Sequence, residues 1–408
     1  MTVTFHPSRL SGVIQAPPSK SMGHRMLICA GLADGDSRVT GISHSEDMKA
    51  TMALLEGLGA FCNRLAEDTT VEVRGANPCL AAPSLPLNCR ECGSTLRFFI
   101  PICLLSEHPV TLTGSPRLFE RPLDVYAELC KDPGLTFVLD KSVPQLTLQG
   151  PLRGGSYTLR GDVSSQFITG LLFALPLCRE DSILSILPPL ESRPYLDLTL
   201  SALSMYGIQA EWLDALTLRI PGGQRYKATD ATVEGDYSNT AFFDALSLLG
   251  HNVTVAGLRE DSLQGDRVYR DIYPMLERGC PTVDISDCPD LGPILMAVAS
   301  AKHGATFTGT RRLRIKESDR AAAMAEELAK FGVSVTVGED SVQVEPMDFH
   351  APDAVLCGHN DHRIVMALCT LLTVTGGTLG GAEAVSKSLP DYFDLLVSLG
   401  ADIAVAES

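Results

Sequence analysis

The chain has 408 residues, 45% of them hydrophobic, 20% charged and 6% aromatic, with a single Trp. That is ordinary globular composition and excludes a disordered chain. Lys and Arg number 33 against 49 Asp and Glu, a formal net charge of -16 that repels a phosphodiester backbone, so no nucleic-acid partner is expected.

In chain order, Met1 to Pro7 shows no basic region followed by an apolar one, so no secretion signal is read there. Of the twelve cysteines, Cys29, Cys103, Cys130, Cys178 and Cys369 lie in apolar stretches. They read as reduced core thiols and predict a cytoplasmic protein. The longest apolar run, Ile168 to Leu177, contains Thr169 and Gly170 and reaches about half a membrane span, so no membrane partner is expected.

Two phrases recur along the chain. Small polar residues open an apolar helix at Ser19-Lys20-Ser21, Gly93-Ser94-Thr95, Ser164-Ser165-Gln166, Ser238-Asn239-Thr240, Asp290-Leu291-Gly292 and Asp361-His362-Arg363. A second helix ends at a glycine followed by alternating apolar residues at Gly59, Gly134, Gly207, Gly279, Gly332 and Gly400. The beat is roughly 70 residues, shortened between Gly279 and Gly332. The chain therefore reads as an α/β protein of two domains, each of three β-α-β-β-α-β units, with one helix of each unit buried.

Helix N-termini present unpaired N–H groups and favour anions. Lys20, Arg25, Arg97, Gln166 and Arg363 all lie in the first turns of the six apolar helices. The densest run of charge, Arg311 to Arg320, precedes another helix and reads as a ligand loop. No phosphate-loop or dinucleotide glycine pattern is present, and no histidine set has metal-ligand spacing. Cys89-Arg-Glu-Cys92 stands without a second cysteine pair, so no metal and no cofactor are expected. What remains is a site for a small, multiply anionic molecule in a reaction run by proton transfer.

These residues resemble the 5-enolpyruvylshikimate-3-phosphate synthase family along nearly the whole chain. The likeness is carried by Pro18-Ser19-Lys20-Ser21 with Arg25, Gly93-Ser94-Thr95-Leu96-Arg97, Glu120-Arg121-Pro122, Gly161 to Phe167, Ser192-Arg193-Pro194-Tyr195, Glu234-Gly235-Asp236, Pro289-Asp290, Lys316 to Arg320, Asn360 to Arg363 and Lys387 to Tyr392. The resemblance implies two domains, 16–234 and 1–15 with 235–408, hinged near 16–18 and 233–236 and closing over ligands. It also implies the reaction: shikimate 3-phosphate attacks phosphoenolpyruvate through its 5-hydroxyl, and the tetrahedral adduct eliminates phosphate. That is a step of the shikimate pathway of aromatic amino-acid biosynthesis and the target of glyphosate.

By the same resemblance Asp290 takes the hydroxyl proton, while Lys20 and Glu317 serve the methylene carbon. Lys20, Ser21, Arg25, Ser164, Ser165, Gln166, Ser192, Tyr195, Asp290, Arg312 and Lys316 are implied at shikimate 3-phosphate. Lys20, Gly93, Arg121, Gln166, Arg320, Arg363 and Lys387 are implied at phosphoenolpyruvate, and a monomer is expected. Glu91 and Arg312 stand where many members have Asn; a carboxylate beside bound phosphate needs a cation, so Glu91 is expected to pair with Arg312 or Arg25.

Three other readings are disfavoured. The related transferase acting on UDP-N-acetylglucosamine should lack Ser164-Ser165-Gln166 and carry a reactive loop cysteine. The net charge opposes an RNA 3'-phosphate cyclase-like protein. The presence of Lys20, Asp290 and Glu317 opposes an inactive binding module.

Overall fold

The computed structural model describes residues 1–65, 69–131, 134–346 and 350–406. By contacts the chain divides into two compact units, residues 18–234 and residues 1–17 with 235–408. Each has its own apolar core.

Residues 18–234 hold three four-stranded sheets of one design. In the clearest, Ser156–Arg160 runs parallel to Ser182–Leu187, and Thr217–Ile220 and Glu211–Trp212 add antiparallel. The parallel pair is joined by the helix Ser165–Ala174, in which every residue but Gln166 is buried. A parallel connection needs such a crossover, and a helix apolar all round belongs inside. Leu87–Asn88, Val110–Thr113, Gln145–Gln149 and Thr136–Asp140 repeat the arrangement around the buried helix Gly93–Cys103. In the third sheet the parallel edge strand Ala231–Thr232 comes from the far end of the unit and lies beside Asp36–Thr40. The helix Lys20–Gly31 fills its interior.

The other unit repeats the design with a gap. Thr282–Asp284, Ala305–Thr308, Ser341–Val344 and Val335–Val337 form one complete sheet around Gly292–Ala301. Leu356–Cys357, Gly377–Gly380 and Asp402–Ala406 are completed by the N-terminal strand Thr2–His6. Among the described residues Ser11–Gln15 pairs, in parallel, only with Asn252–Ala256, and no hairpin follows the helix Tyr269–Arg278. That missing hairpin is the physical content of the shortened beat after Gly279.

The order within a unit corrects the expected β-α-β-β-α-β. One strand of each four-stranded sheet, not two, separates the helices, and where the unit is complete a hairpin follows the second helix, giving β-α-β-α-β-β. The alternating residues after Gly59, Gly134, Gly207 and Gly332 form that hairpin. All six polar openings do start buried helices, at Lys20, Gly93, Ser165, Tyr237, Gly292 and His362. Side chains of Ser19, Cys92, Ser164, Asp236 and Asp361 cap five of them.

Candidate active site

In residues 18–234 the helix starts are tied to one another by their polar side chains. Lys20 Nζ lies 2.9 Å from Asp47 Oδ2, a mostly buried cation held by a carboxylate from the next helix. Arg97, buried in the helix begun at Gly93, donates to Gln166 Oε1 at 2.8 Å and stacks over Phe167. Gln166 donates in turn to Ser94 Oγ at 2.9 Å, so its amide is oriented from both sides. Arg25 is buried and directs Nε to Thr199 Oγ1 and its two terminal nitrogens to the carbonyls of Ser21 and Tyr195, at 2.7–2.9 Å. Burial lowers its guanidinium to about 10. Its donors go to neutral acceptors and not to Glu91, so the Glu91–Arg25 pair expected from the sequence is not what holds Arg25.

Two backbone features complete this half. Ser192 has φ 59, a left-handed conformation at the start of the helix Arg193–Met205, with its side chain buried. Gly93 sits against Arg121: a Cβ there would lie 2.4 Å from one guanidinium nitrogen and 2.7 Å from Cζ. Gly93 is thus the floor on which the Arg121 fork rests.

In the other unit, Asp290 stands in the turn before the helix Gly292–Ala301. Its Oδ1 accepts from Lys316 Nζ at 3.0 Å and from Arg320 at 2.8 Å, and its Oδ2 lies 3.6 Å from Arg363. Burial pushes its carboxyl up, but Lys316, Arg363 and Arg320 prevail and hold it well below the ordinary carboxylate range. Burial lowers the Lys316 ammonium, against the pull of Asp290. Arg320, 1% exposed, also donates to Glu317 at 2.7 Å and to Asp361 at 2.8 Å, one fork serving three carboxylates. Asp361 caps the helix His362–Thr375 through Arg363 N–H and accepts from Ser318 Oγ at 3.1 Å. Lys387 Nζ donates to the Asn360 carbonyl at 2.6 Å, and Arg312 to that of Ser286.

One buried carboxyl was not singled out from sequence. Asp266 accepts from Ser238 Oγ, and burial, reinforced by the nearby charge of Asp290, pushes it up to about 6 against the pull of Arg363. A carboxyl raised in the folded state penalises folding fully above pH 6 and not at all below its unfolded value. Asp266→Asn is therefore expected to raise stability at pH 7.5 by roughly 3 kcal/mol. Melting curves should show the gain vanishing near pH 4; an equal gain at both pH values would contradict this origin.

Sequence reasoning also passed over Asp47 and the linking role of Arg97. Asp47 reads in sequence as an acidic first-turn residue after the cap Ser45, a local role that hides its tertiary partner. His24, Asp47 and Cys92 bring three possible metal donors within 4.8 Å of one another. Each already has an occupation: Asp47 with Lys20, His24 Nδ1 with Thr51 at 2.7 Å, and Cys92 Sγ with the Thr95 N–H.

The repeat architecture is that of the enolpyruvyl transferases. The solved EPSP synthase from Acinetobacter baumannii superposes with a TM-score of 0.81 at 22% identity, covering 100% of both chains. The enolpyruvyl transferase NikO from Streptomyces tendae superposes with a TM-score of 0.81 at 15% identity, over 100% of this chain and 99% of that one. The family model for EPSP synthase (3-phosphoshikimate 1-carboxyvinyltransferase) matches residues 5–280 and 273–396. The 3-phosphoshikimate 1-carboxyvinyltransferase of Clostridium kluyveri is 38% identical over 98% of both chains. That of Clostridioides difficile is 36% identical, again over 98% of both. The chain belongs to the EPSP synthase family.

Proposed function

We propose that the chain transfers the enolpyruvyl group of phosphoenolpyruvate to the 5-hydroxyl of shikimate 3-phosphate and releases inorganic phosphate, with the residues of both units serving one pair of substrates. The observation that carries the reading is Asp290: an ionised carboxylate set among Lys316, Arg320 and Arg363, one side chain away from Glu317. The chemistry needs a base for the hydroxyl, a proton at the methylene carbon, and cations for a carboxylate and two phosphates.

In the proposed mechanism Asp290 accepts the 5-hydroxyl proton as that oxygen adds to C2 of phosphoenolpyruvate. A proton from Lys20 or Glu317 is added to C3. The adduct then loses the C3 proton and the C2 phosphate, restoring the double bond. Arg320 and Arg363 are shared in this unit between Asp290 and any bound anion. An anionic substrate that draws them off weakens the charge stabilisation of Asp290 and raises its basicity. Ser164, Ser165 and Gln166 at one helix start, with Ser21, Ser192, Tyr195, Arg312 and Lys316, are proposed to hold shikimate 3-phosphate, and Arg25 braces the Ser21 and Tyr195 backbone. Gly93, Arg121, Arg320, Arg363 and Lys387 are proposed to hold phosphoenolpyruvate. The charge of -16 and the free thiols fit a cytoplasmic enzyme, proposed to be monomeric, and among the described residues no helix is long and apolar enough to cross a membrane.

The test is phosphate release with both substrates together, with each alone, and with UDP-N-acetylglucosamine as acceptor. Release that requires shikimate 3-phosphate is expected; release with the nucleotide sugar instead would overturn the reading. Gly93→Ala gives a narrower test, because the added methyl must push the Arg121 guanidinium off its floor. Phosphoenolpyruvate KM is expected to rise about tenfold, since misplacing a substrate clamp by about an ångström costs at least that. Inhibition by glyphosate should weaken as well, and equal inhibition constants for the two forms would contradict this.

A further inference from the structure

We infer that Glu327 and His359, which no step of the proposed reaction uses, form an anchor that aims the phosphoenolpyruvate cations; the inference rests on the proposed function. Glu327 is a fully buried carboxylate on the helix Arg320–Ala329. It accepts from Lys330 Nζ at 2.8 and 2.9 Å, from the Cys357 N–H at 2.9 Å and from His359 Nε2 at 2.9 Å. Arg320 and Glu327 stand two turns apart on one helix, and both grip the same segment: Arg320 holds Asp361, and Glu327 holds Cys357 and His359.

The gripped segment has an unusual backbone. His359 has φ 48 and Asn360 φ 50, two consecutive non-glycine residues in the left-handed region. Such residues persist only where surrounding contacts over-determine them, and they gather at functional sites. Here the reversal delivers three groups at once. The Asn360 carbonyl receives Lys387, Asp361 receives Arg320, and the helix carrying Arg363 begins next. His359 is therefore a positioning residue for three cations, none of which it touches in the contacts described above.

His359→Gly separates the anchor from the strain, because glycine adopts this backbone without cost yet has no imidazole to reach Glu327. Relieved strain and the hydrogen bond lost at buried Glu327 are of similar size and opposite sign, so the variant is expected to stay folded and melt close to the native protein. Its phosphoenolpyruvate KM should rise about tenfold, with the shikimate 3-phosphate KM changed by less than about twofold. In His359→Gln an amide N–H can reach Glu327 again, and phosphoenolpyruvate KM should return to within about threefold of native. An unchanged phosphoenolpyruvate KM in His359→Gly, a parallel rise in both KM values, or no rescue by Gln would each overturn the inference. Should the native chain release no phosphate, the proposed function fails separately. The anchor is then read from amide hydrogen exchange over residues 357–363, which should speed up in His359→Gly and stay unchanged if there is no anchor.

Discussion

Asp290→Asn is expected to leave a folded protein whose kcat is lower by about 10²–10⁴-fold, the range that a positioned acid–base group contributes. Asn keeps the shape and an oxygen that can accept from Lys316 and Arg320, so the packing of that turn should survive. What it lacks is a charge to balance three cations and any capacity to take a proton. The loss should therefore appear in single-turnover phosphate release at saturating substrates and not only in KM. The pH dependence supplies a second check. The free-enzyme profile, kcat/KM, should show no acid limb from Asp290 within the ordinary carboxylate range, because Lys316, Arg363 and Arg320 outweigh burial and hold it ionised below that range. A variant within about threefold of native kcat would remove Asp290 from the base role.

Arg320→Leu should have the largest effect on stability. The native guanidinium is 1% exposed and bonded to Asp290, Glu317 and Asp361, and Asp361 is itself fully buried. Removing one partner of a buried ion pair leaves the other charge uncompensated, which costs about 3–5 kcal/mol. Asp290 retains Lys316 and Arg363, whereas Asp361 keeps the Ser318 hydroxyl, the Arg363 N–H and, at 4.0 Å, the His362 imidazole, with no Lys or Arg side chain near it among the contacts of the described residues. The deficit should therefore arise chiefly at Asp361. Carboxyls stripped of a cation have raised folded-state values and are stabilised by protonation, so the gap between variant and native should narrow as pH falls. Denaturant unfolding at pH 7.5 and pH 5 measures this. A loss below about 1 kcal/mol, or a gap that widens at pH 5, would contradict it.

Much of the fold was legible because the repeat writes itself in local chemistry. A glycine after an amphipathic helix and a small polar residue before an apolar one are signals of backbone geometry, and Ser19, Ser164, Asp236 and Asp361 do cap the helices they open. The order of strands within a unit was not legible. Short strands such as Val110–Thr113 carry little periodicity, and the edge strand Ala231–Thr232 finds its partner only through the fold. The residue types proposed to hold the substrates were also visible, as cations gathered at helix starts of an acidic chain. Their state was not. Arg320 reads in sequence as one charge in a basic run, yet in the fold it is the buried centre of three carboxylates drawn from a turn, a loop and a helix cap. Asp47, Asp266 and Glu327 escaped for the same reason, because Lys20, Ser238 and His359, the partners that tie them into the fold, lie 27 to 32 residues away along the chain.

The most direct test of addition followed by elimination is to run the reaction in D2O and examine the methylene protons of the product. Addition makes C3 a methyl group that has gained one solvent deuteron, and elimination returns any one of its three hydrogens. Deuterium is therefore expected in the vinyl methylene of the product, and only when shikimate 3-phosphate is present. Product formed with phosphate release but without deuterium would mean that C3 is never protonated, and would contradict the account at its centre.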